Sequence, residues 1–330
     1  MTILFCGGEL DDVTVGGTVT FNTGTTAAYR TTYARGTLDV AASGTFAANH
    51  ARASFTASSS FSLTARVYPL TSISANNVFL WLSDAGSARL RLKATSSNPT
   101  TITLEKYNGT TATTLATSSS TITGSTQYRL DVIVDYQVSG RVRVYVDGTL
   151  YIDYSGDVTA ASSTTLDSLN LGPLAAATNA GRWSEVIVCT QDSRTLSLVT
   201  LSPNAAGTAN AWTGTYPDVD DTTASDTDVL TSNTAGQIAN FNTTGMPSGW
   251  SNLSVTAVKM VASAARGSTG PTKLALGVRT NSTDSFPTAT SLDTGFSTPV
   301  TTYYETNPVT GVAWTTAEID ALQIALKSEA

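Results

Sequence analysis

Charge is the scarcest commodity in this chain. Only 13% of its 330 residues are Asp, Glu, Lys or Arg, about half the share of an ordinary globular domain. Histidine occurs once, as His50, which excludes most chemistry that needs several imidazoles. The two cysteines, Cys6 and Cys189, are too few and too far apart in sequence for a zinc site. No eighteen-residue apolar run is present, so no membrane-spanning helix is expected. There is no run of Lys or Arg, the net charge is −7 and the pI is near 4.7. A duplex nucleic acid partner is therefore not expected, because phosphate binding needs a basic face. The opening Met1–Glu9 lacks a basic segment followed by a long apolar one, so it reads as a first strand rather than a signal peptide, and synthesis in a cytoplasm is expected.

Thr, Ser, Ala and Gly fill the space that charge leaves. With 41% hydrophobic and 8% aromatic residues the chain has enough apolar surface to fold. β-Branched, Lys-poor composition favours pleated sheets over helices. The length exceeds what one compact core usually holds, and a polar, Pro- and Gly-rich stretch at 190–228 suggests a boundary. The expected architecture is all-β, two tandem antiparallel β-sandwich domains spanning 1–196 and 197–330.

Alternation with period two marks the strands. Weak signals at 2–6, 17–21 and 27–34 precede a regular series. Phe61, Leu63, Ala65 and Val67 alternate with Ser62, Thr64, Arg66 and Tyr68. Val78–Leu82, with Trp81 read as core, turns at Asp84–Ser87 into Leu90 and Leu92, which alternate with Arg89, Arg91 and Lys93. Thr101–Tyr107 meets Asn108–Gly109, the dipeptide of two-residue hairpins; Asn108–Thr110 is also a formal glycosylation sequon, of little weight without a secretion signal. Residues 128–154 form a meander with turns at Ser139–Gly140 and Asp147–Gly148, and strands at 166–171 and 183–188 close the first domain. In the second half, Leu196–Leu201 looks like a strand-like connector. Strands are expected at 229–230, 237–241, 255–264 and 273–279. Apolar residues on both faces make 255–264 a candidate central strand. Thr315–Glu318 fits a capping box, so a short helix at 316–321 and a closing strand to about 328 complete the chain.

The meander Tyr128–Val132 followed by Gly140–Gly148 resembles the laminin-G-like, concanavalin A-like jelly roll, a likeness covering residues 1–195. That resemblance implies neighbouring first and last strands, which would bring Cys6 and Cys189 close, either bonded or as two reduced, buried thiols. The whole chain also resembles bacteriophage virion proteins of tail, collar or head-decoration type, through Trp183–Val188, Leu201–Gly207 with Trp212–Gly214, and Asn307–Pro308 with Trp314–Thr315 and Ile319–Ile324. This second resemblance implies a non-enzymatic structural role in a virion, other virion proteins as partners and a homo-oligomer, with no catalytic residue and no cofactor to carry over. A carbohydrate-binding module that reads host glycans is the alternative.

The candidate sites are few. No glutamate pairs with a second at the spacing a retaining glycosidase needs. Asp131 and Asp135 lie on one strand roughly 13 Å apart and read as solvated positions. Asp218, Asp220 and Asp221 offer oxygens to Ca²⁺ but lack the EF-hand order of ligands, and read better as a linker turn. His50 has no nucleophile motif beside it and reads as structural. Trp212, Trp250 and Trp314, beside Gly or Thr in loops, are the candidates for interface or glycan contact. A far-UV circular dichroism spectrum should show β-structure with helix under about a tenth of the residues; a helix-dominated spectrum would contradict this reading.

Overall fold

The computed structural model describes residues 1–7, 14–16, 38–39, 50–69, 78–172, 181–220, 227–250, 252–296 and 299–330. The strands expected at 17–21 and 27–34 lie outside them. The chain is all-β and divides into two compact units, Met1–Leu198 and Val199–Ala330.

The first unit contains β1 (Ile3–Gly7), β2 (Thr14–Gly16), β3 (Leu38–Asp39), β4 (His50–Ser58), β5 (Ser60–Pro69), β6 (Val78–Asp84), β7 (Ser87–Ala94), β8 (Thr100–Tyr107), β9 (Ala112–Ile122), β10 (Tyr128–Asp135), β11 (Gly140–Val146), β12 (Thr149–Gly156), β13 (Leu166–Leu171) and β14 (Gly181–Cys189). They make two seven-stranded sheets. Sheet A runs β1-β14-β5-β10-β11-β12 with β3 on β14, and sheet B runs β2-β4-β13-β6-β7-β8-β9. The chain alternates between the sheets from β1 to β6, crosses from β9 to β10, and alternates again at β12–β13–β14, which is the jelly-roll winding. Leu63, Val132 and Val144 of sheet A and Leu80, Leu92 and Leu104 of sheet B belong to one buried core.

Turn chemistry follows local sequence in most places. Asp147 (φ 47°) and Gly148 (φ 76°) join Val146 directly to its partner Thr149, the positive-φ pair that a tight hairpin requires. The Asn108–Gly109 turn differs from expectation. Tyr107 pairs with Ala112, so the loop has four residues, 108–111. Asn108 Oδ1 accepts the backbone N–H groups of Thr110 at 3.0 Å and Thr111 at 2.7 Å. An Asx-type side-chain bond has replaced the two-residue turn.

Part of the outer face of sheet A is covered by the chain itself. Residues 190–198, expected in part as a strand, form none, and Ser193 and Arg194 lie across that face as a strap. Ser193 Oγ is 2.7 Å from both Ser62 Oγ and Thr64 Oγ1, and its carbonyl accepts from Arg129 Nη2 at 3.0 Å. Arg194 stacks 4.4 Å over the Tyr145 ring. Beneath the strap Asp131, expected to be solvated, is 1% exposed. Its carboxylate accepts from Thr64 Oγ1 at 2.6 Å and Arg129 Nε at 3.0 Å.

Cys6 and Cys189 lie on adjacent strands, but Cys6 faces Ile187 and Cys189 faces Ile3. Two positions of offset along a strand and one strand spacing put their Cα atoms roughly 8 Å apart, beyond the reach of a disulfide. Both are buried and neither is in a disulfide. Burial pushes the Cys189 thiol up, and its Sγ donates to the Gln191 carbonyl at 3.1 Å.

The second unit contains β15 (Pro203–Asn210), β16 (Ile238–Thr243), β17 (Val258–Ala262), β18 (Lys273–Thr280), β19 (Thr283–Ser285), β20 (Thr290–Ser291), β21 (Val300–Tyr304), helix α1 (Thr316–Asp320) and β22 (Gln323–Glu329). One sheet runs β15-β16-β22-β18-β19 with β20 on β18, and among the described residues β17 pairs only with β21. The strand expected to be central, 255–264, is thus half of a two-stranded ladder. Its second apolar face is Val261, which is 40% exposed. The central place belongs to β22. Helix α1 has the expected capping box between Thr315 and Glu318. β15 escaped the sequence reading because Ala205, Ala206, Gly207 and Ala209 carry no alternation signal.

Removing the buried carboxylate beneath the strap strands Arg129. Asp131→Ala should lower stability to urea by about 3 kcal/mol. Asp153→Ala, at an exposed ion pair with Arg141, should cost at most about 1 kcal/mol. Equal effects would show that the strap network contributes nothing.

Candidate binding face on sheet B

Antiparallel register lines up residues from separate strands into one row across sheet B. Arg52 pairs with Asn170, Asn170 with Trp81, Trp81 with Arg91, Arg91 with Glu105 and Glu105 with Thr114. Paired residues share a face. Their strand neighbours Leu80, Leu92 and Leu104 point into the core, so this row lies on the outer face. Trp81 is therefore buried outside the main core, in a small cluster with Val78 and Ala88 against which Tyr107 packs.

Glu105 is the floor of the row, with 2% of its side chain exposed. Arg91 Nε donates to its Oε2 at 2.6 Å, and Lys93 Nζ lies 2.6 Å from its Oε1. Arg91 also stacks 4.5 Å over the Tyr107 ring. A carboxylate out of water needs such partners, since desolvation of a lone charge costs several kcal/mol. At the other end, Asn170 Nδ2 donates to Ser83 Oγ at 2.9 Å, Ser83 Oγ is 2.5 Å from Ser168 Oγ, and Ser168 Oγ donates to Asp167 Oδ1 at 2.8 Å. Asp167 also accepts the Ala85 N–H at 2.9 Å and lies 3.6 Å from Arg52 Nη2. Asn170 Oδ1 and Arg52 Nε are buried without a hydrogen-bond partner among the described residues. Arg52, Arg91, Lys93 and Tyr107 are partly exposed, whereas Asn170, Ser83, Ser168 and Trp81 are buried and hold them in place from within.

None of the row was singled out in the sequence as a site. The available signal was Arg91, Lys93 and Glu105 falling within one hairpin of a chain poor in charge. The residues that were singled out lie elsewhere. Trp314 is 4% exposed and part of the second unit's core, so it is no surface contact; its Nε1 donates to the Tyr304 carbonyl at 3.0 Å, which makes burial of the indole cheap. Trp212 packs on the same core and donates from Nε1 to the Gln237 carbonyl at 3.1 Å. Trp250 is half-buried in a loop. Asp218 is occupied in a local capping box with Thr215, Asp220 is half-buried, and Asp221 lies outside the described residues. Among the described residues no group of three His, Cys, Asp or Glu is gathered for a metal. His50 opens β4, paired with Gly16.

No family model matches the chain, and no curated protein does. Solved structures with a similar fold include the endo-β-1,4-glucuronan lyase of Trichoderma reesei, at 11% identity and TM-score 0.39, covering 58% of this chain and 96% of that one. They include carbohydrate-binding module CBM66 of Bacillus subtilis, at 16% identity and TM-score 0.31, covering 42% and 81%. The SAP-like pentraxin of Limulus polyphemus is similar at 12% identity and TM-score 0.35, covering 46% and 74%. Likenesses this distant carry no argument about chemistry, and none of these three supports a virion role.

Glu105→Ala should lower stability by about 3 kcal/mol, because two cations lose their shared counter-charge. Adding Lys93→Met should recover part of the loss in urea unfolding, since one cation then goes. Additive losses in the double variant would show that the two side chains are not coupled.

Proposed function

We propose that this chain binds a glycan along the outer face of sheet B. The register row from Arg52 to Glu105 carries the reading. Sugars present hydroxyls that both donate and accept, together with apolar ring faces. Recognition calls for fixed polar groups beside an aromatic surface. The row supplies Arg52 and Arg91, with Lys93 and Tyr107 beside it, on strands whose positions the core fixes.

Binding rather than turnover suits the row's two carboxylates. Glu105 is held by Arg91 and Lys93, and Asp167 is engaged by Ser168, the Ala85 N–H and Arg52. A general base needs a carboxylate free to take a proton. The virion role rests on resemblance in sequence, and no observation of the fold favours it over glycan binding.

Affinity electrophoresis of the full chain through gels containing polysaccharides tests the reading. Retardation by at least one polysaccharide is expected, weakened about fivefold by Tyr107→Ala with the β-rich far-UV circular dichroism spectrum retained. Free migration in every gel, or cleavage of the polymer, would overturn it.

A further inference from the structure

We infer that the glycan held on this face is an anionic polysaccharide, carboxylated or sulfated, engaged by Arg52, Arg91 and Lys93; this rests on the glycan-binding reading above. The chain carries a net charge of −7, yet this face gathers three cations around two carboxylates. Their depth is ordered. Glu105 is 2% exposed, Arg91 15%, Lys93 19% and Arg52 30%. Glu105 lies beneath Arg91 and Lys93, while Asp167, 28% exposed, is set against Arg52, so at the Arg91 end of the row a ligand approaching the sheet meets positive charge first.

The guanidinium groups also retain donors. Arg91 gives only its Nε to Glu105, and its two terminal nitrogens carry no hydrogen bond to a described residue. Arg52 Nη2 stands 3.6 Å from Asp167, outside hydrogen-bond range. An arginine fork with unspent nitrogens matches a carboxylate or sulfate group. Glu105 and the Tyr107 ring hold Arg91 in place beforehand, so little side-chain freedom is lost on binding.

Spacing selects a polymer over a small acid. Arg52 on β4 and Arg91 on β7 are three strand steps apart in the order β4-β13-β6-β7, roughly 14 Å. One acid group cannot bridge that gap. A chain with an acid on successive sugars can engage both.

The test compares polygalacturonate, dextran sulfate and neutral dextran as gel or calorimetric ligands for the full chain. The expected result is retention by polygalacturonate or dextran sulfate and not by dextran. The two acidic polymers separate carboxylate from sulfate recognition. Binding should weaken at least tenfold between about 50 and 500 mM salt. Lys93→Gln and Arg52→Gln should each weaken it about tenfold, while Arg141→Gln, an exposed arginine on sheet A, should not. Arg52→Gln keeps the experiment decisive if Lys93→Gln fails to fold, because Arg52 makes no close contact with Glu105. Equal retention by dextran would overturn the anionic class and leave glycan binding standing. Retention by no polymer would sink both. Equal weakening by Arg141→Gln would show diffuse polyanion attraction and overturn the site.

Discussion

The first unit depends on strand register. In sheet A, Phe5, Val188, Leu63, Val132, Val144 and Ile152 are successive partners across six strands and all belong to the core. In sheet B, Leu171, Leu80, Leu92 and Leu104 form the corresponding row. A slip of one residue in β10 would exchange Val132 for Asp131, and one in β8 would exchange Leu104 for Glu105. Burial of the apolar rows thus forbids the slip. The same constraint assembles the outer rows, because alternate residues of correctly registered strands must line up on the opposite face.

Both outer faces hold polar groups that are nonetheless buried, and a chain with so few charges places them economically. Asp131 and Glu105 are each nearly inaccessible; Asp131 is satisfied by Thr64 of the neighbouring strand and Arg129 of its own, and Glu105 by Arg91 and Lys93 of the neighbouring strand. The two faces end differently. On sheet A the strap supplies Ser193 and Arg194, so the polar groups are closed off by the chain itself. On sheet B the guanidinium groups of Arg52 and Arg91 keep donors that no described residue takes up. Satisfied polar networks specify structure, whereas unspent donors above a fixed counter-ion have the chemistry of a binding surface.

The second unit builds its core on fewer signals. Phe241, Leu276, Trp314, Ile319 and Leu322 are buried together, and helix α1 enters this core through Ile319. Small side chains allow close strand approach: a Cβ on Gly207 would lie 2.6 Å from the Asn240 backbone. That approach is what places the Ala- and Gly-rich β15 beside β16.

Composition and alternation determined the all-β class, the first-unit strands at 61–68, 78–82, 90–93, 101–107, 128–154, 166–171 and 183–188, the Asp147–Gly148 hairpin, the capping box at Thr315 and which residues of each of these strands share a face; the strand Ala112–Ile122 and the break between β4 and β5 were not legible. The legible features are local properties, written in neighbours two to four residues apart. Tertiary structure alone decided what each face meets. Period two separates Asp131 from Val132 but does not say that a strap will cover Asp131. It sets Arg91 opposite Leu92 in facing but does not reveal that Arg52, Asn170, Trp81 and Glu105 join it. Those residues come from five strands brought together by pairings distant in sequence, and partner and offset follow from packing the whole core rather than from any local signal. The loop tryptophans show the same limit, since a Trp beside Gly or Thr looks exposed until a carbonyl such as that of Tyr304 satisfies its indole and lets the core close over it.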